Sequence, residues 1–107
     1  MYTNRDVAQL WVEGRKDDST LDEVDEVRFL AMVADHFWGS RHQWDRTQRG
    51  LLEKGNWERT SPALIRVFMT KRGAQWWETN KSISPPDFMR EIDERIAAQR
   101  ATLPKAQ

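Results

Sequence analysis

Apolar residues in this chain recur three and four positions apart, and no segment alternates apolar with polar for long enough to propose a strand. The spacing predicts an all-α domain, a small bundle of four to five helices around one long helix. Val7, Leu10 and Trp11 mark a short first helix, capped by Thr3 or Asn4 and stopped by Gly14. A polar connector follows over 15–19. Thr20 and Glu23 have the spacing of a capping box, and Asp22, Glu23, Asp25 and Glu26 place negative charge at the positive end of the next helix dipole. That helix runs from about residue 22 to about residue 48, with Gly50 beyond it as a stop. Val27, Leu30, Ala34, Phe37, Arg41, Trp44 and Gln48 form its stripe, widened by Phe29, Val33 and Trp38. A rod of this kind is about 40 Å long and serves as the spine of the domain. Gly39 near its middle is a place for a bend or for a neighbour to come close.

Beyond the spine the elements are shorter. Thr60 or Ser61 is placed to cap a helix with Pro62 in its first turn, where the missing N–H does no harm. The alternative is one helix over about 53–71 with a kink near Pro62. Leu64, Ile65, Phe68 and Met69 share one apolar face. Residues 70–73 break the pattern, and 74–79 form a short helix carrying Trp76 and Trp77. Neighbouring helical side chains point about 100° apart, so one indole faces the core and the other covers its edge. Ser84-Pro85-Pro86-Asp87 reads as a helix start, with a capping serine, two first-turn prolines and an acid. Phe88, Ile92 and Ile96 then space by four, and the helix runs to about Ala101, where Pro104 bars extension. The expected organisation is a single helical domain over 1–103 and a frayed tail over 104–107.

Composition adds two constraints. Six tryptophans in 107 residues can each bury about 150–250 Å², so a few rings supply much of the core of a small domain. The absence of cysteine excludes disulfides and thiolate metal sites, and it fits a reducing compartment. The mean hydropathy is −0.84 and seventeen basic residues balance seventeen acidic ones. Domains that bind duplex nucleic acid carry a basic excess, so this balance argues against general nucleic-acid binding. No stretch approaches ~18 consecutive apolar residues, and the first six residues lack the apolar centre of a signal peptide. The expectation is a cytoplasmic chain that does not itself insert into a membrane.

No catalytic constellation emerges. His36 and His42 lie six apart, about 240° around a helix axis, and Val33 and Gly39 stand three residues before them where a di-iron site needs glutamate. Ser40 and His42 are two apart and point away from each other on a helix. No nucleophile elbow, phosphate loop or dinucleotide fingerprint is present. Asp35 and Asp45 could work as acid and base only if folding brought them together. No catalytic, cofactor-binding or metal-binding residue is assigned on these grounds.

Two basic stretches remain: Arg41, His42, Arg46 and Arg49 around Trp44, and Lys71 and Arg72 ahead of Trp76 and Trp77. Basic residues interleaved with aromatics suit single-stranded nucleic acid, which is the alternative function. Tryptophan and arginine are also enriched at protein-binding hot spots. Phe37, Trp38, Arg41 and Trp77, at the edges of the apolar stripes, are the candidate interaction surface. The leading expectation is a non-catalytic domain acting on a protein partner or on a second copy of itself.

One ordered set of residues covers about 4–96: Val7-Ala8-Gln9-Leu10-Trp11 with Gly14, Leu21 and acids before Arg28-Phe29, Gly50-Leu51-Leu52 with Trp57, Gly73-x-x-Trp76-Trp77-Glu78, and Ser84-Pro85-x-x-Phe88. In that order they resemble a widespread set of uncharacterised bacterial proteins. The resemblance implies a soluble helical domain, which in that set often follows an N-terminal transmembrane helix and a connecting helix. This chain resembles the soluble half alone, either as a natural short form or with its membrane-anchored part elsewhere. Membrane association through a partner or a missing N-terminal segment, in a membrane-linked assembly, is what the likeness adds. Pro62 and the Gly39-Ser40 pair depart from the set. The likeness implies no activity and carries over no functional residue.

Overall fold

The computed structural model describes residues 4–103, so the Thr3 cap, the Pro104 stop and the 104–107 tail lie outside the described residues. Five α-helices follow in chain order: α1 (Asn4–Gly14), α2 (Glu23–Gln48), α3 (Lys54–Phe68), α4 (Lys71–Asn80) and, after a 3-10 turn (Lys81–Ile83), α5 (Pro86–Ala101). Among the described residues there is no strand. The chain is all-α and built on one long helix, as the periodicity predicts.

Several helix starts differ from the expected ones, each for a local reason. Asp22, not Thr20, caps α2, its carboxylate accepting the Asp25 N–H at 2.8 Å. A carboxylate also complements the helix dipole, which a hydroxyl cannot. Thr70 lies in the segment expected to break the pattern, yet it caps α4 by accepting the Gly73 N–H at 3.1 Å. Pro85 occupies the cap position of α5, while Ser84 closes the 3-10 turn, its buried hydroxyl oxygen without a hydrogen-bond partner. Pro62 lies inside α3, so the single-helix alternative is the one realised. The i−4 bond it forfeits is to Glu58, and both residues are exposed, so solvent can take the freed carbonyl. Gly50 ends α2 with φ of +76°, the left-handed conformation that favours glycine. Gly14 ends α1 for another reason: a Cβ there would stand 2.1 Å from a carbon of the Phe29 ring.

The described chain is a slab, 43 × 41 × 24 Å, with a Cα radius of gyration of 14.9 Å. A compact chain of this length has a radius of about 13 Å, so the slab is flatter than average. One aromatic web fills it. Phe37 of α2 lies 5.8 Å from Phe88 of α5 and 5.9 Å from Trp77 of α4. Phe88 in turn meets Trp44 at 5.1 Å and Trp57 at 6.1 Å, and Phe68 stacks on Trp77 at 5.1 Å. Leu64, Ile92 and Val33 fill the gaps. These rings place their polar edges at the rim: Trp77 Nε1 donates to Asp93 Oδ1 at 2.7 Å.

Two arginines tie the helices together. Arg72 of α4 holds Glu26 of α2 through Nε and Nη2 at 2.9–3.1 Å, and donates to the Gly14 carbonyl and the Ser19 hydroxyl at 3.1 and 2.8 Å. Asp17 completes this knot by accepting the Lys71 N–H at 2.8 Å. Arg95 of α5 bonds Glu91 and, across to α3, Glu58, each at 2.6 Å, with its guanidinium 5.7 Å from the Trp57 ring. The first knot holds α1 and α4 against α2, and so fixes which sides of the spine are covered.

Candidate protein-contact face

Viewed down α2 at about 100° per residue, the buried residues Phe29, Val33, Phe37, Ser40 and Trp44 occupy an arc of about 80°. α1 flanks that arc on one side, with Trp11 5.4 Å from Phe29 and stacked on His36 at 6.0 Å. α4 flanks it on the other, with Trp76 5.2 Å from Phe37. Opposite the core, Val24, Val27, Ala31 and Trp38 share an arc of about 60°, with Ala34 at its edge. No element among the described residues covers them. Val24 is 59% exposed, Val27 66% and Trp38 41%, and Ala31 is also exposed.

Trp38 does not swing freely on this face. Its ring packs edge-on against Phe37 at 5.3 Å and 76°, and the Arg41 guanidinium lies 5.3 Å from its centroid. A cation over an indole at an exposed site contributes about 0.5–1 kcal/mol. The outcome is a pre-positioned aromatic anchor with a charge beside it, which lowers the ordering cost of any contact made there.

Of the four residues expected at the interaction surface, Trp38 and Arg41 lie on or beside this face and two do not. Phe37 is 0% exposed and Trp77 1% exposed; both are core, centred in the aromatic web, and cannot meet a partner. Val27 moves the opposite way, from the expected core stripe to the surface. Val24 and Ala31 belonged to no expected stripe, although the steps 24, 27, 31, 34 and 38 are themselves a 3-4 repeat. No neighbour comes close at Gly39, since a Cβ there would meet nothing within 4 Å, and α2 continues through it.

The remaining chemistry is dispersed. Among the described residues no group of three or more His, Cys, Asp or Glu could hold a metal ion. Asp35 and Asp45 sit on one unbroken helix, about 15 Å apart along its axis, so they do not converge. His36 is half-buried against Trp11, and burial holds its imidazole below the ordinary value of 6.5. The Arg95 hydrogen bond keeps the Glu58 carboxyl below its usual range. A groove of about 200 Å³ between α2 and α4 is lined by Glu26, Leu30, Arg72 and Trp76, but its one acid is already held by its arginine. In the two basic stretches Trp44 and Trp77 are buried, Trp76 is partly so, and Arg72 is occupied by the first knot. No described helix is long and apolar enough to cross a membrane. Comparison with protein-family models, with curated proteins and with solved structures finds no match.

Proposed function

We propose that this chain is a non-catalytic helical domain acting through protein contacts, with the outer face of α2 as the contact surface. One observation carries the reading: Val24, Val27, Ala31 and Trp38 lie side by side on the face of the spine turned away from the core. Singly exposed apolar residues are ordinary on a protein surface, whereas a contiguous row marks a surface made to be covered. Trp38 with Arg41 supplies the residue types enriched at binding hot spots. The membrane-linked setting implied by the resemblance makes the domain the soluble part of a larger assembly.

A photo-crosslinking residue at position 38, in the chain expressed in its own host, tests the reading. Discrete protein adducts are expected from position 38 and none from Ala98, an exposed position on α5. Equal labelling from both positions, or no adduct from either, overturns it.

A further inference from the structure

Resting on this contact-face reading, we infer that the occupant of the α2 outer face is a second copy of this chain, laid antiparallel across a two-fold axis. The residues on the face are complementary to themselves in that orientation. With the axis passing between Ala31 and Ala34, Ala31 of one copy opposes Ala34 of the other, and Val27 opposes Trp38. Small residues meet at the centre, where two backbones must approach to about 8–10 Å. The large indole lies over a valine at each end. Every pair occurs twice, which is the requirement of an isologous contact.

Charge points the same way. Of the acids at the start of α2, Glu23 alone borders this face; Glu26 is held by Arg72, and Asp22 and Asp25 lie toward the core side. Near the other end Arg41 borders the face. A parallel pair would set Glu23 against Glu23 and Arg41 against Arg41. An antiparallel pair brings each Glu23 level with the partner's Arg41 and also opposes the two helix dipoles. Position 23 lies on the same flank of the helix as position 41, so Glu23 of each copy reaches toward Arg41 of the other across the seam. The flat slab leaves room: α1 and α4 grip α2 from its flanks and rise over the core, not over this face.

Sedimentation equilibrium of the whole chain from about 1 to about 500 µM tests the inference, a range that brackets micromolar dissociation constants. The mass is expected to rise from one copy to two, with the dimer weakening as salt screens the paired ends. Ala31→Glu, which sets two like charges across the axis, raises the dissociation constant at least about 10-fold, while Ile83→Glu on the distant 3-10 turn leaves it within about 2-fold. Glu23→Lys and Arg41→Glu each weaken the dimer, and the double variant recovers it, because both cross-pairs are restored in reverse. A parallel or unrelated dimer shows no recovery, and that result overturns the inference. Circular dichroism melts confirm that each variant folds; all four changes lie outside the core. A chain that stays monomeric to the highest concentration, yet crosslinks through position 38 to a protein of different mass, overturns the second copy and leaves the contact-face reading standing. A monomer without adducts overturns both.

Discussion

Residues 37 and 38 are neighbouring aromatics on one helix with opposite fates. Phe37 sits at the centre of the aromatic web with no exposed surface, whereas Trp38 leaves two-fifths of its surface in water. The same division runs the length of α2, with Phe29, Val33, Phe37 and Trp44 inward and Val24, Val27, Ala31 and Trp38 outward. Apolar character alone therefore does not mark core in this protein. Position around the axis, relative to where α1 and α4 attach, decides which apolar residues stabilise the fold and which stay exposed.

The sharpest way to break this comparison is to truncate both rings in turn. Phe37→Ala removes a fully enclosed ring and should cost about 3–5 kcal/mol in urea denaturation. Trp38→Ala should cost about 1–2 kcal/mol, since it loses only one ring contact, the Arg41 stacking and part of its burial. Equal losses would show that the two faces are not distinct. Gly14→Ala probes the inner face from the neighbouring helix. Its new methyl would collide with the Phe29 ring, and a loss of about 1–3 kcal/mol is expected. An unchanged melting temperature would mean that α1 does not pack as described. On the outer side, Gly39→Ala adds a methyl into open space and should stabilise the helix by about 0.5–1 kcal/mol. A destabilised variant would reveal a contact at that position which the chain itself does not provide.

The smallest expected effect is a pH dependence at the boundary between the faces, where His36 stacks on Trp11. Burial lowers its folded pKa below 6.5, so the unfolded chain takes up the proton first as the solution is acidified. The stability this contributes is present above about pH 6.5 and is lost as pH falls through the lowered folded value. The His36→Gln variant should flatten the stability profile in that window. An imidazole titrating at or above 6.5 by NMR in the folded chain would sink this assignment.

The helices were largely legible in the sequence, because helical spacing is a local property: α2 and α5 fall close to their expected bounds. The phase of α2 was not. The stripe read through Val27, Leu30, Ala34 and Phe37 runs between the two real faces, about 70° from each. A helix with apolar residues on opposite sides presents no single moment direction, and the 3-4 pattern averages over both. Phe37, expected at the surface, lies in the core for that reason. Phe37 and Trp77 look like edge residues along the chain and become central only when α4 and α5 close over α2. The α4 start was missed for a simpler reason, since Thr70-Lys71-Arg72-Gly73 has the composition of a loop, and its cap and its bonds to Glu26 and the 15–19 connector exist only in three dimensions.

Local sequence determined that this protein is helical, where most of its helices lie, and that tryptophan and phenylalanine would build its interior. Tertiary structure decided which side of the spine is interior. Turn formation depends on residues a few positions apart, whereas burial depends on which surfaces distant segments cover. Here the Arg72 knot and the Phe37–Phe88 contact bring segments more than forty residues apart onto one side of α2, and the other side stays open.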